Sequence, residues 1–164
     1  MDSPSNYFKT NFDGSVIPTS SAAGFVIRDS VGSPIMSGAR RLHNSSVPLA
    51  EYMTLKEWFL VAKRRNCNQI KVEGDSYHQL CQNVLCYWKL KSLIRDVLAL
   101  TDSFVSITFS HTYREANFLA DALASVGHSL FSPMCWFDGI PPQAQMALLM
   151  DSSCFQTCSH FESR

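Results

Sequence analysis

Four acidic residues, Asp13, Glu51, Asp75 and Asp121, stand where the local pattern of this chain changes. Asp13 lies in Tyr7–Ser15, YFKTNFDGS, where Phe8 and Phe12 fall on one side of a period-two pattern and Lys9, Asn11 and Asp13 on the other. Gly14 follows at once, which predicts that the strand stops at the acid and the chain bends there. An Asp before Gly is, taken alone, a turn former. Asp75 follows the run Gln69–Glu73 and Gly74, again an acid at a strand end, and a helix N-cap would explain it equally well. Glu51 lies four residues before Leu55, on the apolar stripe Leu55, Trp58, Phe59 and Ala62. Carboxylates rarely sit on a core-facing stripe unless paired or metal-bound, although the first turn of a helix also favours an acid. Asp121 shares a helix face with Asn117, opposite the stripe Leu119, Ala122, Leu123 and Val126, facing either water or a polar site.

Should these acids converge, they could not all stay ionised without cations, because like charges raise each other's pKa. Such a cluster selects hard divalent cations, which prefer oxygen donors. Two ions about 3.5–4 Å apart can activate water and stabilise the leaving oxygen of a phosphodiester.

The elements that must bring them together read as three strands, a helix, a strand, a helix, a strand and a helix. Tyr7–Ser15, Ala22–Arg28 and Ile35–Leu42 carry strand patterns joined by turn-rich links, the first of them Ser15–Ser21, and predict an antiparallel meander. Pro48 opens the first helix, which ends in Lys63, Arg64 and Arg65. Gln69–Glu73 is a fourth strand. A helical stretch over Leu93–Leu100 follows a break near Tyr87–Lys91, and strand–helix–strand implies a right-handed parallel crossover. Phe104–Ser110 alternates as a fifth strand that ends at His111. Thr112 and Glu115 fit a capping box, so a helix is predicted from there to Gly127. A mixed five-stranded α/β sheet, three antiparallel strands then two parallel ones, with helices on its faces satisfies this order. The first strand can lie centrally, which would bring Asp13 and Asp75 to adjacent strand ends.

The 164 residues suit one domain, and 46 % apolar content suits a globular protein. We expect residues 1–150 to form that domain, including a C-terminal packing segment in which Trp136 and Phe137 pack and Pro141–Pro142 start a short helix. Residues 151–164 read as a polar, flexible tail. No long apolar run predicts a membrane span, and MDSPSNYFKT lacks the pattern of a secretory signal, so the expectation is an intracellular monomer in nucleus or cytoplasm. Net charge is zero, so any nucleic-acid binding must come from a local patch or a metal. Six cysteines, at 67, 81, 86, 135, 154 and 158, have no framework rhythm and predict free thiols. Cys154, Cys158 and His160 lack a fourth ligand at finger spacing for zinc.

The ordered set, DGS at Asp13–Ser15, AE at Ala50–Glu51, DS at Asp75–Ser76, and H-x-x-x-E-x-N-x-x-x-D from His111 to Asp121, resembles a type 1 ribonuclease H domain. NFDGS, AAGFVIRD, LAE, VEGDS, HTYREAN and ADALA resemble the plant reverse-transcriptase-like version of it, a group related to retroelements. The resemblance covers about Tyr7 to Leu130, and IPPQAQMALLMD is similar to that group's ending. It implies that Asp13, Glu51, Asp75 and Asp121 bind two Mg2+ or Mn2+ ions. It implies that His111 sits beside them to assist water exchange or product release, and that Gly14, Ser15, Ser76 and Asn117 contact substrate, Asn117 alternatively orienting Asp121. The implied reaction is endonucleolytic hydrolysis of the RNA strand of RNA–DNA hybrids, read by groove shape and 2′-OH groups. The alternative is a catalytically idle module on the same fold that binds nucleic acid or protein. A 3′–5′ exonuclease would want D-x-E on the first strand, where this chain has Ser15 two residues after Asp13.

Overall fold

The structure is a computed structural model that describes residues 7–42, 47–74, 88–111 and 117–158. Its strands are β1 (Phe8–Ile17), β2 (Ser20–Arg28), β3 (Pro34–Leu42), β4 (Gln69–Gly74), β5 (Ser106–His111) and β6 (Met134–Phe137). Its helices are α1 (Val47–Arg64), α2 (Trp88–Thr101), α3 (Phe118–Gly127) and α4 (Gln145–Cys158), the last entered through a 3-10 turn at Pro142–Ala144. The sheet order is β5-β4-β1-β2-β3-β6. β1 pairs parallel with β4, and β4 parallel with β5; the other pairs are antiparallel.

The five expected strands are present, in the expected directions, with β1 at the centre. The sixth was not foreseen. MCWF is short and mostly exposed, so it carries no alternation to read, and it becomes a strand only because β3 offers it an edge. The first link is also shorter than expected: β1 runs to Ile17 and turns through Pro18 and Thr19 alone. Helix α2 begins at Trp88 rather than after a break at Tyr87–Lys91; WKLK holds neither Pro nor Gly and continues a helix readily.

Alternation along β1 and β2 sorts the two faces. Phe12 pairs with Phe25, and both point to α1 and α2, into a core of Ile27, Leu55, Trp58, Phe59, Ile70, Val72, Val97 and Phe104. The predicted α1 stripe is buried in full, and Phe59 meets the edge of Phe104 at 5.4 Å. Asn11 pairs with Val26 on the opposite face, where Val26, Leu119, Leu123 and Ala144 make a second, smaller core under α3 and α4.

Helix α4 runs past residue 150, so the sequence boundary at 150/151 falls inside it. Asp151 is buried and pairs with buried Arg28 at 2.7 Å. No helix among the described residues is long and apolar enough to cross a membrane. Cys67 and Cys135 are free thiols.

Candidate active site at the centre of the sheet

Asp13 does not end its strand. It sits inside β1, opposite Gly24 of β2, and the strand continues through Ser15 opposite Ala22. What ends is the pairing on the other side: β1 and β4 run in register from Phe8↔Ile70 to Asn11↔Glu73. Asp13 is therefore half-buried two residues beyond the last described parallel pair, with its backbone paired to β2. Its Oδ1 accepts a hydrogen bond from the Gly14 N–H at 2.9 Å, which fixes the carboxylate's orientation. Gly74 closes β4. A Cβ there would lie 2.6 Å from the Phe12 ring, so the close packing of β4 on the residue before Asp13 requires glycine.

Helix α3 reaches this point through two contacts. The Asn117 amide Nδ2 donates to the Phe12 carbonyl at 3.2 Å. At Gly24, beside Asp13, a Cβ would come within 2.4 Å of the Ala124 backbone nitrogen. Only glycine lets the helix backbone settle so closely on the row of the sheet that carries the acid. Asp121 then sits one turn after Asn117, its N–H bonded to the Asn117 carbonyl at 3.1 Å and its side chain exposed. The predicted faces of this helix need correction. Of the two settings left open for Asn117, burial at 2 % exposure excludes water, while the expected stripe is shifted: the buried residues are Leu119, Ala120, Leu123, Ala124 and Gly127. The stripe turned because the helix lies on the sheet by its small residues: a Cβ at Gly24 would come 2.4 Å from the Ala124 nitrogen, and one at Gly127 2.7 Å from the Arg40 carbonyl oxygen. The helix starts at Phe118 with Asn117 as N-cap, later than the expected capping box, whose residues 112–115 lie outside the described ones.

Behind Asp13 on the same face lies a buried acid that the sequence reading passed over. Glu73 takes Lys9 at 2.8 Å and Lys71 at 3.1 Å, and accepts from the Asn11 amide at 3.4 Å. Burial alone would push the Glu73 carboxyl up, but the two lysines outweigh it and the net shift is downward. Glu73 stays ionised and its charge is already answered, so it does not compete for cations with Asp13.

Ahead of Asp13, His128 joins the two strands of the β1–β2 hairpin. Its Nδ1 lies 2.5 Å from Ser20 Oγ and its Nε2 2.9 Å from Ser15 Oγ. Burial, and then the charge of Arg41, lower its pKa, so the ring is neutral near pH 7 and bonds one hydroxyl as donor and the other as acceptor. Ser15 is thereby held from the side.

Of the remaining predicted residues, Glu51 lies on α1, but as the fifth residue of a helix that starts at Val47, beyond its first turn. Its side chain is outside the described ones. Its neighbour Tyr52 is buried in the core. His111 ends β5 opposite Gly74, its side chain likewise outside the described ones. Asp75 and Ser76 lie outside the described residues altogether, as do residues 159–164 of the expected tail. No group of three metal-capable side chains occurs among the described residues. What bears on a cation is the donor set: Asp13 and Asp121 are oxygen donors, and the buried Asn117 Oδ1 has no hydrogen-bond partner among the described residues. An orphaned acceptor beside two acids fits a hydrated hard cation, whose waters donate hydrogen bonds. His128 and Asp151 were missed. A His just after a helix-ending Gly is the ordinary C-terminal choice and carries no signal, whereas the lone acid closing the apolar run ALLMD did carry one.

A sequence profile of the reverse transcriptase-like family matches residues 11–127. No curated protein sequence matches the chain at a significant level. Among solved structures, ribonuclease H1 from the archaeon Halobacterium salinarum is similar with a TM-score of 0.67 at 22 % identity, over 75 % of this chain and 98 % of the other. The N-terminal ribonuclease H domain of Rv2228c from Mycobacterium tuberculosis gives 0.69 at 20 %, over 76 % and 95 %. LC11-RNase H1, isolated from compost and solved in complex with an RNA/DNA hybrid, gives 0.64 at 20 %, over 73 % and 94 %. The fold is ribonuclease H-like.

Proposed function

This chain belongs to the reverse transcriptase-like family, and from that membership we propose that it cleaves the RNA strand of RNA–DNA hybrids with the help of divalent cations. The observation that carries the reading is the Asn117–Phe12 hydrogen bond, which ties the helix of Asp121 to the strand of Asp13 at 3.2 Å. Two acids 108 positions apart in sequence belong to elements joined beside both of them.

Asp13, Glu51, Asp75 and Asp121 would hold Mg2+ or Mn2+, two ions in all, supplying an activated water and charge stabilisation at the leaving oxygen. The chain's own groups do the rest. The Gly14 N–H holds the Asp13 carboxylate in one orientation. Ser15, braced by His128, stands two residues along β1 on the same face, where a hydroxyl can meet a ribose 2′-OH or phosphate. Asn117 orients α3, and its Oδ1, without a partner among the described residues, would accept from a water at the site. His111, at the end of β5, would assist water exchange or product release. The LC11 enzyme is recorded with an RNA/DNA hybrid bound, which supports the same substrate class here. The motifs NFDGS, LAE, VEGDS and HTYREAN further support a type 1 enzyme of the plant, retroelement-related group.

The test is incubation of the purified chain with labelled hybrid in Mg2+ and in Mn2+, beside Asp13→Asn. We expect cleavage of the RNA strand by the wild type and loss of at least about a hundredfold in the variant, the scale of removing a group that acts on the transition state. A folded wild type that cleaves in neither metal overturns the reading and leaves a binding module.

A further inference from the structure

Asp151 takes no part in the chemistry above, yet it is 2 % exposed and its contacts converge on one helix end. Oδ1 accepts from the Phe118 N–H at 3.0 Å and Oδ2 from the Leu119 N–H at 3.2 Å, the first two residues of α3. Oδ2 also takes Arg28 Nη2 at 2.7 Å, at the end of β2. A helix's orphan N–H groups are ordinarily satisfied by its own N-cap side chain. Asn117 makes no such bond: its side chain is turned so that Nδ2 donates to the Phe12 carbonyl, and Oδ1 accepts from no helix N–H. The cap has passed to an acid on another helix, where its charge also suits the positive end of the macrodipole.

We propose that Asp151 is a positioning residue for the cation site. By capping α3 from α4 it leaves Asn117 to bind β1, and this holds the helix of Asp121 on the strand of Asp13. Without it, Asn117 is the nearest replacement cap, and turning Oδ1 onto the helix N–H groups swings the whole amide, Nδ2 included, away from the Phe12 carbonyl. Helix α4 is thus part of the site's support although it carries no ligand. The proposal rests on the reading that Asp13 and Asp121 hold cations.

The test compares Arg28→Met/Asp151→Leu, which removes the buried pair together so that neither charge is orphaned, with Arg28→Met/Asp151→Asn, which keeps a neutral acceptor for α3. Val97→Ala, a core truncation on α2, serves as a destabilised reference. The readouts are Mn2+ affinity by calorimetry and amide exchange at Leu119 and Asp121. The Leu variant should bind Mn2+ about tenfold more weakly, as loss of a supporting contact does, with faster exchange at both amides. The Asn variant should recover most of both, and Val97→Ala should bind Mn2+ as the wild type does. Affinity within twofold of wild type in the folded Leu variant overturns the proposal. If that variant does not fold, Arg28→Met/Asp151→Ala takes its place against the Asn variant: weaker binding and faster exchange in the Ala variant support the proposal, and equal values overturn it. If the wild type binds no Mn2+, the functional reading fails instead. Exchange at Asp121 then still decides the positioning, since unchanged rates overturn it.

Discussion

Asn117 shows how one side chain can be decided by a single acceptor. A polar residue before a helix is a capping residue by default, but here the amide donates to the Phe12 carbonyl and the helix is capped from elsewhere. Asn117→Ala leaves that carbonyl without its donor, which should cost about 1–3 kcal/mol in urea unfolding and lower hybrid cleavage in the still-folded protein. His128 is decided by two hydroxyls and a nearby cation. Its folded pKa lies below 6.5, so between that value and the unfolded one the unfolded chain binds more protons. Stability should therefore fall as pH drops below about 6.5. A ring titration by NMR should give a midpoint under that of a free histidine, and His128→Gln should flatten the stability profile over that window.

At the scale of elements, the close approach of α3 to β2 decides whether the acids meet. The contact depends on an absent side chain: Gly24 admits the backbone of Leu123 and Ala124, which any Cβ would displace. Gly24→Ala should destabilise by about 1–3 kcal/mol, the usual cost of overpacking. It should also lower activity by more than a core truncation of equal cost, because the displaced element is the one bearing Asp121. Strand β4 works differently. Its Glu73 is satisfied by Lys9 on β1 and Lys71 on β4 itself, so the central parallel pair is held by charge on one face and by Phe12, Ile70 and Val72 on the other.

Across the whole molecule, the Arg28–Asp151 pair joins the end of β2 to the last helix and, through Asp151, to α3. Both side chains are almost fully buried. Arg28→Met alone should cost about 3–5 kcal/mol in chemical denaturation, because it strands the Asp151 charge. The same change combined with Asp151→Leu should cost less than the two singles together. With no net charge, the chain has no long-range field to draw a polyanion, so binding of a hybrid depends on local contacts.

The order, number and direction of the five main strands were legible because alternation and turn residues report which face of a strand is buried. So was the α1 stripe. Asp13, Asn117 and Asp121 stood out in the sequence by residue type and spacing, and the fold brings β1 and α3, which carry Asp13 and Asp121, together at Asn117. β6 was not legible, because an edge strand of four exposed residues takes its conformation from a neighbour. Neither was the burial of Asn117, the cap supplied by Asp151, or the clasp of His128 on Ser15 and Ser20. Each of these depends on a hydrogen-bond partner that is remote in the chain. Sequence periodicity records which side of an element meets apolar surroundings, whereas a polar group's partner exists only once distant backbone and side chains have been packed against it.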